Sequence, residues 1–152
     1  MGNDRALKQG KYGFRDLQAG DRILTDGLMV TADMIDAFAA LTGDYFEIHM
    51  NDDAAMQHGF SSRVAHGLLI LSLIDGLKNR AKASFRAQAS LGWDWQFSAP
   101  VLVGDELRAE IIIESIKPLS DGLRAVINLN FDVKNQNNET VQKGINKLMI
   151  YA

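Results

Sequence analysis

Hydrophobic and polar positions follow a helical period in the first half of the chain. Between residues 31 and 41, apolar residues recur at helical spacing, which predicts an amphipathic helix. Thr31 is the expected N-cap, and Gly43 is the expected C-terminal stop. Residues 43–64 are irregular and polar, with room for one short helix from Asp52 to Gln57. The sequence therefore predicts one helix followed by a long loop region.

A second predicted helix has a different character. Residues 68–77 are apolar almost all the way round, with few polar positions. An amphipathic surface helix would leave one face polar, so this segment is predicted to be buried on most of its sides. It is the natural centre of the fold.

A strand period of two residues takes over after this helix. Apolar and polar residues alternate in segments 89–97, 107–113 and 123–133, and less cleanly in 141–151, with turn signals at 117–122 and 135–138. Consecutive alternating strands joined by short turns predict an antiparallel meander with one wet face. We expect the sheet to curl around the apolar helix, with its apolar face against that helix. This is a single α+β domain spanning residues 1–152, with a sheet edge suited to pairing with a second copy.

Composition and charge exclude several classes of protein. The chain has 16 Lys and Arg against 19 Asp and Glu, a formal charge of −3, which argues against a nucleic-acid partner. It has no cysteine, so disulfides, thiolate metal sites and cysteine nucleophiles are excluded. Residues 1–20 lack the apolar core of a signal peptide, and the longest apolar stretch is far shorter than the ~20 residues of a membrane helix. We expect a cytoplasmic protein without a membrane partner.

Histidine and carboxylate side chains remain as candidates for chemistry. Asp44 and His49 follow the predicted helix stop, five residues apart, and can converge as an acid–base pair near neutral pH. The structural alternative is that Asp44 caps the following turn and His49 is a hydrogen-bonded loop residue. His49, His58 and His66 are nine and eight residues apart, which matches no compact ligand motif, so no metal site is predicted.

Gly67 stands at the first turn of the predicted buried helix. No side chain covers its backbone N–H, and the helix dipole adds positive potential there. Such an N–H suits a carbonyl oxygen that gains negative charge during a reaction. The structural alternative is that Gly67 only permits close packing.

The combination of these segments resembles the MaoC-like dehydratases and (R)-specific enoyl-CoA hydratases of the hot-dog fold. That family carries G-D-x-N-P-x-H, followed by A/V-H-G at the start of its central helix and later by an F-x-x-P-V-x-x-G-D hairpin. Residues 97–105 resemble the hairpin, and the resemblance runs from about residue 12 to residue 151. The positions that match the family in register are Gly43, Asp44, His49, Ala55, Ala65, His66 and Gly67.

This resemblance implies a hot-dog fold and a reversible hydratase/dehydratase of fatty acid metabolism. The expected substrate is a CoA-linked 2-enoyl or 3-hydroxyacyl thioester. Coenzyme A enters only as part of the substrate, with no metal or redox cofactor, and the expected assembly is a homodimer. Asp44 and His49 would hold a water and move its protons, while the Gly67 N–H polarises the thioester carbonyl. The alternatives are an acyl-CoA thioesterase of the same fold and a non-catalytic acyl-CoA-binding or partner subunit. The expected substrate contacts are Phe46, Arg63, His66 and Asp75.

Several positions depart from the family pattern. Phe46 and Glu47 replace its Asn-Pro, and Asn51 replaces an Asp two positions after the histidine. Asp75 stands where some hydratases have serine. It either lines the pocket, which would disfavour an apolar acyl chain, or is a paired structural acid. The basic cluster is either a clamp for the phosphates of CoA or a set of cations favoured by a helix C-terminus, and it consists of Lys78, Arg80, Lys82 and Arg86.

Overall fold

The chain folds as a six-stranded sheet around one central helix, as seen in a computed structural model that describes residues 4–152. A short 3-10 turn at Phe14–Asp16 precedes the main sheet. This architecture agrees with the α+β arrangement predicted from the sequence. The strands are β1 (Gly10–Tyr12), β2 (Arg22–Leu24), β3 (Leu28–Met29), β4 (Ala83–Phe85), β5 (Ala87–Phe97), β6 (Glu106–Pro118), β7 (Arg124–Lys134) and β8 (Thr140–Tyr151), and the helices are α1 (Ala32–Thr42), α2 (Glu47–Met50), α3 (Asp52–Gln57) and α4 (Gly67–Asn79).

The main sheet has the order β2-β6-β7-β8-β5, with β3 also paired to β6, and all of these pairings are antiparallel. The predicted meander is confirmed for β6, β7 and β8. It is wrong for β5, which pairs with β8 at the far edge. The reason is that residues 98–105 leave the sheet to cover the start of α4, where the Ala65 N–H donates to the Val101 carbonyl at 2.7 Å. The short strands β1 to β4 were not predicted.

The signals at the ends of α1 have the predicted effect. The Thr31 hydroxyl accepts the Met34 N–H at 3.2 Å, and Gly43 ends the helix in the left-handed conformation with φ of 79°. The short helix α3 also has its predicted bounds, and Asn51 caps it by accepting the Ala54 N–H at 3.0 Å. One extra turn of helix, α2, occupies part of the expected loop. These local elements hold the irregular segment in a fixed path.

Helix α4 supplies one side of the core. Leu69, Ile70, Ile74 and Leu77 are buried against the inner face of the sheet. The prediction that the helix is buried on most sides needs a correction, because one stripe is open in the single chain: Leu68 is 60% exposed, and Ser72 one turn later is also exposed. Strand β5 beside it is exposed along most of its length and forms a sheet edge. No helix within residues 4–152 is long and apolar enough to cross a membrane.

Candidate active site

Asp44, His49 and His66 meet at the N-terminal end of α4. One carboxylate or imidazole atom from each lies within 4.8 Å of the others. Asp44 directly follows the glycine that ends α1, His49 lies in α2, and His66 is the last residue before α4. The convergence of Asp44 and His49 expected from the sequence is therefore present, and His66 joins them.

His49 is held in one tautomer. Its Nδ1 lies 2.7 Å from the Val64 carbonyl oxygen, which can only accept, so Nδ1 carries the proton and Nε2 keeps a lone pair. Burial lowers the pKa of His49 below its ordinary value of 6.5, and the neighbouring His66 lowers it further, while Val64 and Asp44 act in the opposite direction. The imidazole is consequently neutral at pH 7 and able to accept a proton.

Asp44 also performs the structural role considered as its alternative. Its Oδ1 accepts the Phe46 N–H at 3.2 Å and so stabilises the turn that leads into α2. The side chain itself is exposed. A carboxylate has two oxygens with several lone pairs, so this single bond leaves it capacity to accept a proton or bind water.

His66 positions the other two residues. Its Nε2 donates to the backbone carbonyl of Asp44 at 2.9 Å, and its ring stacks on His49 with 3.9 Å between centroids. Phe38 packs against the same ring at 4.9 Å. His66 is only 2% exposed, and its Nδ1 has no hydrogen-bond partner within residues 4–152. The imidazole thus supports the site from behind rather than facing the cavity where a substrate would bind.

The stacking bears on whether these three residues suit a metal ion. A metal binds the in-plane lone pair of an imidazole, whereas the rings of His49 and His66 lie at 28° to each other and 3.9 Å apart. Lone pairs of nearly parallel stacked rings do not converge on one point at the ~2.0–2.1 Å typical of a zinc–nitrogen bond. The arrangement is better suited to moving protons, and the expectation of a metal-free reaction stays a prediction.

Gly67 opens onto a cavity of about 310 Å³ that also includes His49. No acceptor for the Gly67 N–H is found in the part of the chain that the structure describes. A Cβ at this position would overlap the ring of Phe97, so the glycine is also needed for close packing. The two explanations of Gly67 are compatible. The cavity is lined by His49, Phe60, Val64, Ala65, Gly67, Ile70, Phe97, Ser98, Ala99, Pro100, Val101 and Gln142.

The other expected substrate contacts, Phe46 and Arg63, do not line this cavity. Phe46 is 53% exposed, and its ring centroid lies 5.9 Å from that of His49, so it stands beside Asp44 and His49. Arg63 instead ties the loop together, because its Nε donates to the His49 carbonyl at 2.6 Å and its guanidinium pairs with Asp36 at 2.5 Å. In this structure Arg63 acts on the position of α2.

Asp75 contacts Lys78 and does not line the cavity. Its Oδ1 lies 2.8 Å from the Nζ of Lys78, whose side chain is 4% exposed. Lys78 also donates to Asn146 at 3.2 Å, which leaves it unable to clamp phosphate at the surface. Arg80 and Lys82 are exposed. Asp75 is therefore a paired acid here, and Lys78 does not belong with the other cations.

Gln142 is a buried polar residue of the cavity wall that sequence reasoning missed. Its side chain is buried, it accepts the indole N–H of Trp95 at 2.7 Å, and it donates to the Gly67 carbonyl at 3.1 Å. The only signal was the uneven alternation of segment 141–151, where a polar residue takes a position that faces the core.

Comparison with known proteins decides the family. A family model described as the MaoC like domain matches residues 16–131. The chain belongs to the MaoC-like domain family. Solved structures of MaoC-like proteins agree in fold: that of a MaoC-like dehydratase from Rhodospirillum rubrum has a TM-score of 0.83 at 26% identity, covering 92% of this chain and 97% of that one. A Mycobacterium tuberculosis protein described as a double hotdog fold superposes with a TM-score of 0.82 at 18% identity, covering 96% of this chain and 46% of that one, which supports the fold alone.

Curated relatives match over smaller parts of the chain. The chain is 33% identical to an (R)-specific enoyl-CoA hydratase of Aeromonas caviae over 53% of its length, and 39% identical to Protein MaoC of Klebsiella aerogenes over 51%. The matches span 60% and 23% of those two proteins, less than two thirds of either. It is 26% identical to 3-hydroxyacyl-thioester dehydratase Z of Mycobacterium tuberculosis over 76% of its length and 80% of that protein.

Proposed function

We propose that this MaoC-like protein is a hydratase/dehydratase that adds water reversibly to a 2-enoyl thioester linked to coenzyme A. One observation carries the proposal: the Asp44 carboxylate and the neutral His49 imidazole lie within 4.8 Å of each other, and His49 shares a cavity with the start of α4 at Gly67. The names of the hydratase and dehydratase relatives support the same reaction class.

The residues divide the work of hydration. Asp44 and His49 hold a water and accept one of its protons as its oxygen bonds to Cβ, and the same pair delivers a proton to Cα. The Gly67 N–H donates to the thioester oxygen, which gains negative charge as the enolate forms. The reverse sequence removes water from a 3-hydroxyacyl thioester. These steps need no metal or redox cofactor, because the thioester stabilises the enolate.

The direct test is hydration of crotonyl-CoA, followed by loss of its enoyl absorbance. Asp44→Asn and His49→Gln should each lower kcat by about two to four orders of magnitude, because each removes a proton-transfer group. Melting temperatures should change little, and the double mutant should be scarcely worse than the poorer single mutant.

Matched controls are available nearby. Asp53 and His58 are exposed residues of the same region, and Asp53→Asn and His58→Gln should keep full activity. Release of free thiol without hydration would indicate a thioesterase. Wild-type protein that binds crotonyl-CoA but turns it over by neither route would indicate a binding subunit. Near-full hydration by well-folded Asp44→Asn and His49→Gln variants would refute the assignment of the pair.

The proposed assembly is a homodimer, with a cytoplasmic location as predicted from the sequence. Strand β5 is an exposed sheet edge of 11 residues, and Leu68 and Leu91 expose apolar surface at 60% and 49%. A long unpaired edge with apolar neighbours is a surface that native proteins cover. Sedimentation at micromolar concentration should show a dimer, and a stable, active monomer would contradict this proposal.

A further inference from the structure

The cavity that holds His49 and Gly67 has a buried inner end and an open mouth. Ile70, Gln142 and Val101 are at most 2% exposed, whereas Phe97 is 57% exposed and Pro100 is also at the surface. The bulky, charged coenzyme A moiety must remain at the open side. The acyl tail of a bound thioester therefore points inward, toward Ile70 and Gln142.

Gln142 closes the inner end and is fixed in place. Its amide oxygen accepts from Trp95, and its amide nitrogen donates to the carbonyl of Gly67. The Trp95 ring is itself held edge-on by Trp93 and Phe131, at centroid distances of 5.3 and 5.5 Å. The Gln142 side chain is therefore hydrogen-bonded through both its amide oxygen and its amide nitrogen, and the tryptophan it bonds to is packed in place. A change of rotamer at Gln142 would break these hydrogen bonds and disturb the packing.

The space behind this wall is unsuited to a hydrocarbon chain. Four residues further along β8, about 13 Å at the usual strand rise, Asn146 accepts from the buried ammonium of Lys78. Lys78 also pairs with Asp75, and its Nζ lies 5.5 Å from the centroid of the Trp93 ring. An acyl tail passing Gln142 would have to displace the aromatic rings and then contact an ion pair, which it cannot solvate.

From these two barriers we infer that Gln142, locked by Trp95, limits the substrate to short acyl groups. The inference rests on the proposed function and adds the residue that determines chain-length specificity. Gln142 acts by occupying the volume that a longer tail would need. Neither Asp44 nor His49 takes part in this selection.

The test compares enoyl-CoA substrates of four, six and eight carbons. The wild type should prefer the four-carbon substrate, and Gln142→Ala, which removes four side-chain heavy atoms from the wall, should shift the ratio of kcat/KM for eight against four carbons by about 10- to 100-fold. This follows from a gain of roughly fourfold for each methylene that enters the protein. Gln96 is exposed on β5, in the register position next to the pair of Phe97 and Gln142, and Gln96→Ala should leave the ratio unchanged.

Two further measurements test the inference if Gln142→Ala does not fold or if the protein does not hydrate enoyl-CoA. Gln142→Asn retains the amide but retracts it by one methylene, so the ratio of six to four carbons should rise about fourfold. Binding of butyryl-CoA and octanoyl-CoA, measured by calorimetry, tests the wall even if no enoyl-CoA is hydrated, an outcome that would overturn only the proposed function. Equal affinity for both acyl-CoAs in the wild type, or equal losses for all chain lengths in Gln142→Ala, would overturn the inference.

Discussion

Replacing Asp75 with asparagine should destabilise the protein without abolishing catalysis. Asp75 is the anionic partner of Lys78 at 2.8 Å. Asparagine at this position removes that negative charge, so the 4%-exposed ammonium keeps neutral contacts such as the Asn146 amide oxygen and the Trp93 ring. Breaking a fully buried pair costs about 3–5 kcal/mol. The Asp75 side chain is 37% exposed, so solvent screens part of this cost, and we expect a loss of about 1–3 kcal/mol. The melting temperature should fall by roughly 2–12 °C for a chain of this size.

Urea denaturation followed by tryptophan fluorescence measures this loss. The chain has two tryptophans, and Trp93 packs on Lys78 itself. Adding Lys78→Met to Asp75→Asn should recover most of the stability, since the unpaired charge disappears, and Asp53→Asn should stay within about 0.5 kcal/mol of the wild type. Crotonyl-CoA hydration by Asp75→Asn should persist because Asp75 does not line the cavity. Wild-type stability of Asp75→Asn, or no recovery on adding Lys78→Met, would refute the reasoning.

Three other predictions concern the site itself. Because the pKa of His49 is lowered, kcat/KM should fall on the acid side with an apparent pKa below 6.5, and an acid limb above 6.5 would contradict the assignment. Below pH 6.5, His49 binds more protons in the unfolded chain than in the folded one, because folding lowers its pKa. The contribution of His49 to the free energy of unfolding is therefore lost as the pH falls. Melting temperatures of the wild type and His49→Gln, measured against pH, should show this difference. Gly67→Ala should displace the Phe97 ring and lower kcat/KM by about 10–100-fold. Unchanged kinetics of Gly67→Ala would contradict the proposal that the Gly67 N–H binds the thioester carbonyl. If Gly67→Ala lowers the melting temperature, adding Phe97→Ala should restore it, because the smaller side chain removes the overlap.

The features that were predictable from the sequence are those set by neighbouring residues. Thr31 and Gly43 fix the ends of α1 through bonds and backbone angles within their own turn. Asp44 and His49 converge because the chain between them is short and follows a helix end. The strand period likewise identified β6, β7 and β8 and their order.

The features that escaped prediction depend on distant parts of the chain. The place of β5 beside β8 is set by the crossing of residues 98–105 over the start of α4. His66 could be identified as part of a motif, but its stacking on His49 arises only when α2 and α4 meet. Asp75 and Lys78 have the spacing of a helical ion pair, yet the burial of Lys78 depends on Trp93 and Asn146.

The bonds of Arg63 connect a residue on the surface to the position of the His49 imidazole. Its backbone N–H donates to Asp52, its Nε to the His49 carbonyl, and its guanidinium pairs with Asp36, a side chain 53% exposed on α1. From its exposure alone, Asp36 would be expected to tolerate any polar residue. Replacing it should nevertheless loosen the segment that positions His49, because Arg63 would lose its ion pair. Random mutagenesis scored by turnover should find this outward face of α1 intolerant, while a screen scored by folding alone should pass over it.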